Sequence, residues 1–463
     1  MATISEQLIS LANTKAAIKQ SIINKGVSVA DTDPFSAYPA KIGQISSGGE
    51  APTDEWQPNP NWWDIKKILD EDTRDYPGKV GVILYNFNDV SDFQLYSSGM
   101  TAVATSDGAF YTYADNGANV SHNWDTTQDK DDGRGFKTRW VIYYYTTDTT
   151  SDRFRQADIK FGWAYNRIAY LVLRINCEGY YFCPEHSFLE AIDNAGHSIK
   201  GTSFYRFCSG CYSLTKLPDG LDTSNGTNFE YFCSGCYSLT KLPDGLDTSN
   251  GTNFKEFCSE CYSLQKLPDG LDTSNGTSFY RFCYACYPLT KLPDGLDTSN
   301  GEDFTQFCST CFSLTELPDN LDTSNGTNFS SFCFNCKSLT KLPDGLDTSN
   351  GTNFEYFCGS CASLQKASEI SMAANTVNYS FASPFSVATW LKTIYLTLPS
   401  NTNFWLNSST RISIESFRYI ANHAPDVTET PRTLTIGSTN ITRCNEADPT
   451  IITDLNTKGW TVA

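Results

Sequence analysis

Phe207-Cys208-Ser209-Gly210-Cys211-Tyr212-Ser213-Leu214-Thr215-Lys216-Leu217-Pro218-Asp219-Gly220-Leu221-Asp222-Thr223-Ser224-Asn225-Gly226-Thr227-Asn228 is a phrase that the chain repeats seven times between Phe204 and Lys366. Its cysteine pairs fall at Cys208/Cys211, Cys233/Cys236, Cys258/Cys261, Cys283/Cys286, Cys308/Cys311, Cys333/Cys336 and Cys358/Cys361, every step 25 residues with no insertion. A fixed period of this length predicts a solenoid, because one turn cannot bury its own apolar face and stacking must supply the core. Phe207, Cys211, Leu214, Leu217, Leu221 and Phe229, with their copies, are the expected inward rows. Leu214-Thr215-Lys216-Leu217, stopped by Pro218, reads as a short strand in a parallel sheet. Phe204 to Cys211 reads as a short helical or 3₁₀ segment. Asp219-Gly220 and Asn225-Gly226 read as corners with positive φ. Asp222-Thr223-Ser224 has side chains suited to bonding backbone at a bend.

Phe207, Cys211, Ser213-Leu214-Thr215, Asp222-Thr223-Ser224-Asn225 and Thr227-Asn228 resemble the BspA-type leucine-rich repeats of bacterial and phage surface proteins. The resemblance covers residues 204–366. Only the second cysteine of each pair belongs to that pattern. Stepping back one period lands on Cys183, His186, Leu189 and Ile192, a degenerate eighth copy. Stepping forward lands on Asn375-Thr376-Val377-Asn378-Tyr379, and capping is expected to begin after Lys366.

A net charge of −18 weighs against a nucleic-acid partner. No apolar run approaches the roughly 18 residues of a membrane span. The N-terminal stretch is interrupted by Glu6, Lys15 and Lys19, so no secretory signal is expected. Surface-type repeats without an export signal fit assembly into a virion in the host cytoplasm. Ile4, Leu8, Leu11, Ile18 and Ile22 space out an amphipathic helix over residues 4–25, ended by Gly26. So short a helix needs partners: it either folds back on its own domain or serves self-association or docking. Residues 1–45, including Pro34-Phe35-Ser36-Ala37-Tyr38-Pro39, resemble the N-terminal segment of many phage tail and fibre proteins. The resemblance implies attachment to other virion proteins and, by analogy with such fibres, a homotrimer.

The expected fold is therefore mainly β. An N-terminal helical segment (1–47) and a linker (48–61) lead to a β-sandwich-like domain (62–178). The leucine-rich-repeat solenoid (179–366) and a C-terminal cap (367–463) follow. Val80 to Tyr85, Arg139 to Tyr145 and Ile168 to Ile175 are the β-rich runs of the second region. Ser106-Asp107-Gly108-Ala109 with His122-Asn123-Trp124-Asp125 resembles modules that precede repeats in other phage surface proteins. In the cap, Ser413 to Asn422 reads as a helix with Ile414, Phe417 and Ile420 inward. Thr433 to Gly437 and Lys458 to Val462 resemble the closure of phage leucine-rich-repeat proteins.

Catalysis is not expected. His122, His186, His197 and His423 stand in no nucleophile or metal signature. Asp129-Lys130-Asp131-Asp132-Gly133 has the look of a calcium loop but lacks the closing acid, Trp140 standing there instead, so a solvated acidic turn is expected. Three chemistries compete for the C-x-x-C pairs: buried thiols, disulfides within a pair, and zinc. Cys183-x-x-His186 favours zinc. Translation symmetry opposes it, since nothing tells one turn which neighbour to pair with, and cytoplasmic assembly opposes disulfides. Buried thiols are preferred, and no metal or cofactor is assigned.

The copies differ at clustered positions. After the first Phe stand Tyr205-Arg206, Glu230-Tyr231, Lys255-Glu256, Tyr280-Arg281, Thr305-Gln306, Ser330-Ser331 and Glu355-Tyr356. Core rows must stay constant to stack, whereas solvent rows need not. Tyrosine and arginine make contact area at low entropic cost. Tyr205, Arg206, Glu230, Tyr231, Lys255, Glu256, Tyr280, Arg281, Glu355 and Tyr356 are thus the candidate ligand-binding residues, for a bacterial surface glycan or protein. A second row, Lys216, Lys241, Lys266, Lys291, Glu316 and Lys341, faces either an anionic glycan or its own aspartates. A host-encoded bacterial adhesin and a purely structural spacer are the rival functions.

Overall fold

The computed structural model of the chain describes residues 59–60, 63–86, 92–96, 102–112, 120–123, 125–134, 136–145, 160–161, 168–175, 177–180, 182–183, 185–194, 196–376 and 384–463. The helix expected over residues 4–25, with Ile4, Leu8, Leu11, Ile18 and Ile22, lies outside the described residues, as does most of the expected linker. The described chain is mainly β with few helices and carries a regular stack of aromatic rings. It divides into two compact units. One runs to Gly226 and takes in Phe232–Pro243; the other holds Thr227–Tyr231 and Asp244–Ala463.

In the first unit the β-rich runs pair. Gly78–Asn86 lies between Lys137–Tyr145 and Ile168–Arg174, antiparallel to both, with Val82 opposite Val141 and Leu171. Ala102–Thr105 and Phe110–Thr112 extend the sheet on one side, and Ala191–Asp193 extends it in parallel on the other. Alternation does not sort these strands into wet and dry faces, because both faces are buried. Ile83, Tyr85, Ile142, Tyr144, Tyr170 and Val172 share one face with Ile65 and Leu69 of the helix Ile65–Glu71. Asp64 caps that helix, its carboxylate accepting from the Lys67 N–H at 3.1 Å.

The helix is a departure from the expected β-sandwich, and Gly81 is its physical reason. A Cβ there would lie 2.6 Å from Ile65 Cγ1 and 2.7 Å from Leu69 Cδ1, so only glycine lets the helix settle on the sheet. The acidic turn is only in part the solvated loop expected: Lys130, Asp131 and Gly133 are exposed, but Asp129 and Asp132 are tied inward. Arg139 and Asp129 pair through two bonds of 2.8 and 2.7 Å, both side chains buried. Asp132 is fully buried, and Arg134 Nε donates to it at 2.8 Å. Lys137 lies 3.5 Å from Asp131.

In the second unit the rows expected inward are buried: Phe229, Leu264, Leu267, Leu271, Phe282, Cys286 and their copies are at most 4% exposed. The first cysteines, which fall outside the resemblance, are buried equally well. Two phenylalanine columns run through the repeats. Phe254, Phe279, Phe304, Phe329 and Phe354 stack at 5.4–5.9 Å, and Phe257, Phe282, Phe307, Phe332 and Phe357 at 5.4–5.6 Å.

Backbone pairing departs from the expected strand. Leu-Thr-Lys-Leu forms no strand in the repeats. It contributes single bonds such as Thr340 N–H to Thr315 O, 3.1 Å, and isolated bridges such as Lys341 to Lys366. The proline that follows has no N–H to give and keeps the pairing from running on. The turn-to-turn bonds come instead from the aromatic–cysteine segment. Phe254, Glu256, Cys258 and Glu260 donate to Ser278, Tyr280, Phe282 and Tyr284 at 3.1, 2.7, 3.0 and 2.6 Å. Every second N–H thus points to the following turn.

Left-handed residues make this possible and break the expected helical segment into turns. Arg206, Tyr231, Glu256, Arg281, Gln306, Ser331 and Tyr356 have φ of 51 to 56°. Gly210, Gly235, Glu260, Ala285, Thr310, Asn335 and Ser360 have φ of 59 to 76°. Of the glycines expected to supply positive φ, those of the Asn-Gly corners are needed for another reason: a Cβ on Gly251 would lie 2.5 Å from Phe254 Cζ and 2.9 Å from Thr248 O, whereas one on Gly245 or Gly270 would meet nothing. At the bend, Thr248, Thr273, Thr298 and Thr323 are buried and donate Oγ1 to an aspartate carbonyl of the next turn at 2.5–2.6 Å.

The cap begins with a further copy, two residues longer in step. Cys358 and Ser360 donate N–H to Pro384 and Ser386 at 2.8 and 2.6 Å, so Phe385, Val387, Ala388 and Leu391 take the places of Cys358, Ser360, Cys361 and Leu364. Val387 keeps the left-handed φ of 61°. Thr393–Thr397 then lies parallel to Lys366–Ser371. The helix Ile414–His423 is capped by Ser413, with Phe417 and Ile420 buried and Ile414 half-buried. Phe404–Trp405, Arg432–Thr435 and Trp460–Val462 form a small parallel sheet.

Candidate ligand-binding face

The variable residues are placed by two local devices. Glu230, Lys255, Thr305, Ser330 and Glu355 donate backbone N–H to an Asn or Asp side chain two residues earlier, at 3.0–3.1 Å. The residue that follows each is left-handed, which ends the turn and sets the direction of its side chain. Both variable positions are therefore fixed to the backbone, not carried on a loose loop.

In the second unit they form a ladder of cations between phenol rings. Glu230 Oε1 accepts from Lys255 Nζ at 3.0 Å, and Asn253 Nδ2 donates to Glu230 Oε2 at 3.2 Å. Lys255 Nζ so held lies 5.5 Å from the Tyr231 ring and 5.7 Å from the Tyr280 ring. The Arg281 guanidinium lies 5.4 Å from the Tyr280 ring and 5.0 Å from the Tyr284 ring, and its Nε donates to Gln306 Oε1 at 2.5 Å. The hydrogen bond to Glu230 raises the Lys255 pKa above its ordinary value, so the cation is secure. Burial raises the carboxyl of half-buried Glu256. Tyr356 is set apart from this ladder and packs edge-on to Phe334 at 5.6 Å. Glu355 takes part through its backbone carbonyl, which accepts from Ser331 N–H at 2.7 Å. In the first unit Tyr205 stacks on Tyr180 at 5.9 Å, with the Arg206 guanidinium 5.7 Å from the Tyr205 ring.

Tyr284, Gln306, Tyr180 and Phe334 belong with these groups but not with the sequence candidates. The first two stand beside variable positions, and their own departures from the repeat (Tyr between the cysteines, Gln beside Thr305) were the available signal. A further aromatic column follows the second cysteine of each copy and also varies, running from tyrosine through Phe312 to Lys337. Tyr262, Tyr287 and Phe312 stack at 4.7 and 4.8 Å, and Lys337 Nζ lies 4.6 Å from the Phe312 ring.

Part of the lysine row is paired with its own aspartates. Lys291, Lys341 and Lys366 lie 3.9, 3.1 and 2.6 Å from Asp294, Asp319 and Asp344. The Tyr/Lys/Arg ladder is half-buried along its length, its cations held in place by Glu230 and Gln306. Phenol faces, fixed cations and amide groups side by side suit stacking on a sugar ring and hydrogen bonding to its hydroxyls.

All seventeen cysteines are buried, and none of them forms a disulfide. In the second unit the second cysteine of a turn donates Sγ–H to the carbonyl of the first cysteine one turn back. Cys286, Cys311, Cys336 and Cys361 do so at 3.2, 3.1, 3.0 and 2.9 Å. First cysteines donate onward to phenylalanine carbonyls, as Cys258 does to Phe282 at 3.3 Å. Burial raises the Cys286 thiol to about 11, which keeps it protonated and unreactive at neutral pH. No protein-family model matches the chain, and no curated protein matches it.

Proposed function

We propose that the chain is a bacteriophage virion structural protein, a tail or head fibre or spike. In this reading its repeats form a leucine-rich-repeat solenoid that binds the host surface without catalysis. The terminal resemblances support the virion reading, and the segment around Ile4 to Ile22 serves as the attachment and trimerisation element. The ligand is a bacterial surface polysaccharide. The observation that carries this part is the Tyr231–Lys255–Tyr280–Arg281–Tyr284 ladder: the positions that vary among near-identical turns hold tyrosines and fixed cations side by side. A repeating ligand meets a repeating surface, and multivalency multiplies weak contacts.

A spacer whose repeat number sets length is the second reading, favoured by the same ladder in another light. Its cations are already paired, and such pairing stiffens a rod. The deciding variant changes Tyr205, Arg206, Tyr231, Tyr280, Arg281 and Tyr356 together to serine. A binding face loses cell attachment while melting stays cooperative; a spacer keeps attachment. Mass spectrometry of purified particles tests the virion assignment, and recovery only from a bacterial envelope fraction would return the protein to the adhesin class. Sizing the full chain against one starting at Trp56 tests the trimer, which a monomer in both samples rejects.

A further inference from the structure

We infer that Cys308, Cys333 and Cys336 form a three-sulfur site for a soft monovalent metal ion of the copper(I) class. Their sulfurs all lie within 4.8 Å of one another, and all three residues are fully buried. Cys308 and Cys333 are the first cysteines of successive turns, and their sulfurs approach to 3.2 Å. Cys336, the second cysteine of the later turn, reaches the same spot because its thiol is aimed at the Cys308 carbonyl, 3.0 Å away. An ion about 2.3 Å from each of three sulfurs holds them about 4 Å apart. The triad therefore needs one sulfur pair to open and no backbone rearrangement.

Translation symmetry, the objection to a metal in a perfect repeat, is loosened here by spacing: the equivalent Cys183, Cys208 and Cys211 have sulfur pairs at 3.1 and 4.0 Å but do not close into a group of three. Among the described residues, these three are the group whose ligand atoms converge in this way.

The choice of ion follows from the ligand number and the surroundings. Sulfur-only sets select copper(I), zinc or iron–sulfur clusters. Zinc closes a buried structural site with four ligands, or keeps a water at an open one. No fourth histidine, cysteine or carboxylate joins this group among the described residues. The chain neighbours Phe307 and Phe332 are fully buried, which leaves the side-chain surroundings apolar. A d¹⁰ monovalent ion accepts three sulfurs in a plane without a fourth donor. Because the sulfurs are sealed, the ion must enter while the turns stack, releasing thiol protons as it binds.

The test uses full-length protein made in copper-supplemented cells and purified without oxygen. Metal content is measured, and X-ray absorption at the copper edge reads the ligand shell. The expected result is copper in a sulfur-only shell, with Cys336→Ala carrying one ion fewer than the parent. Cys286→Ala, at the same place in another turn, should keep the parent's content. Alanine is what the cap copy itself carries at this place, in Ala388, so the change is one the stack already accommodates. If Cys336→Ala does not fold, the parent's absorption spectrum decides alone, and nitrogen or oxygen in the shell overturns the site. Absence of copper, zinc in its place, a Cys308–Cys333 disulfide, or equal loss in both variants also overturns it.

Discussion

The sheet around Gly78–Asn86 and the repeats from Asp244 onward solve the same problem, pairing buried backbone, by different means. In the sheet, a central strand pairs with a neighbour on each side, and Val82 faces Val141 and Leu171. In the repeats, Phe254, Glu256, Cys258 and Glu260 all donate toward the next turn. The first arrangement needs only extended β-branched and aromatic residues. The second needs left-handed residues at fixed places, and most of those places carry side chains. The sheet is thus held by its side-chain chemistry and charge pairing, the repeats by conformation and ring stacking.

That contrast is open to attack first at Arg139. Arg139→Met leaves Asp129 buried without its cation and should destabilise the sheet by about 3–5 kcal/mol. Hydrogen exchange over Val141 to Tyr145 reads the loss locally, which matters because a chain of two units need not unfold in one step. Arg139→Met with Asp129→Leu should recover most of the stability. A double variant as weak as the single one would show that the pair itself, not the orphaned charge, holds the sheet.

In the repeats the comparable weak point is a ring. Phe282 stacks between Phe257 and Phe307 at 5.5 and 5.6 Å, so Phe282→Leu removes contacts to two turns. About 1–3 kcal/mol should be lost, by the cost of a partial cavity. Urea melts of this variant should also broaden, since weakening one interface in a nearest-neighbour array uncouples the turns on either side. A sharp, merely shifted transition would mean that the repeats do not behave as coupled turns.

Thr298→Val probes the bend. The methyl replaces a hydroxyl that donates to Asp322 O at 2.5 Å, leaving a buried carbonyl short of a donor. The expected cost is about 1 kcal/mol. Thr105→Val in the sheet removes an equally buried hydroxyl that bonds the Asp107 carboxylate at 2.6 Å, and should cost more because the acceptor is charged. Equal losses would dissolve the distinction between the two regions at this level.

Much of this was legible in the residues. The period and the leucine and phenylalanine rows could be read directly, because a core that must repeat leaves its constancy in the text. The sheet's strands showed as runs from Val80, Arg139 and Ile168. What could not be read was which segment carries the turn-to-turn bonds. Leu214 to Leu217 looks like a strand, while Phe254 to Glu260 does not. Glycine marks the left-handed place at Gly210 and Gly235, but Glu260, Ala285, Thr310, Asn335 and Ser360 occupy it without that mark. The helix on the sheet was missed, although Asp64 as its cap and Ile65, Ile68 and Leu69 at helical spacing stood in the residues; what could not be read was that it lies on the sheet at Gly81. At the candidate face, the variable pairs located the ladder, but the register of Lys255 between Tyr231 and Tyr280 depends on turn height, which spacing alone does not give.

The smallest expected effect is the sharpest, because it reverses sign between the two regions. Ala285 is left-handed at φ 59°, a conformation that costs a residue with a Cβ about 1–2 kcal/mol. Glycine removes that strain and adds about 0.5–1 kcal/mol of unfolded-state entropy. Ala285→Gly should therefore stabilise the repeats, by about 0.5–1 kcal/mol. Its N–H to Ser309 O bond, 2.8 Å, is untouched, so no contact energy confuses the reading. Val387→Gly should gain more, because Val387 is β-branched, left-handed and 54% exposed, so that little packing is lost with its side chain. Ala104→Gly, in a strand where Ala104 is 1% exposed, should instead lose about 1 kcal/mol. Melting temperature and hydrogen exchange at the substituted turn measure all three. A loss at Ala285 like that at Ala104 would mean that the left-handed places are relaxed in the folded chain, and that conformation is not what sets the repeats apart from the sheet.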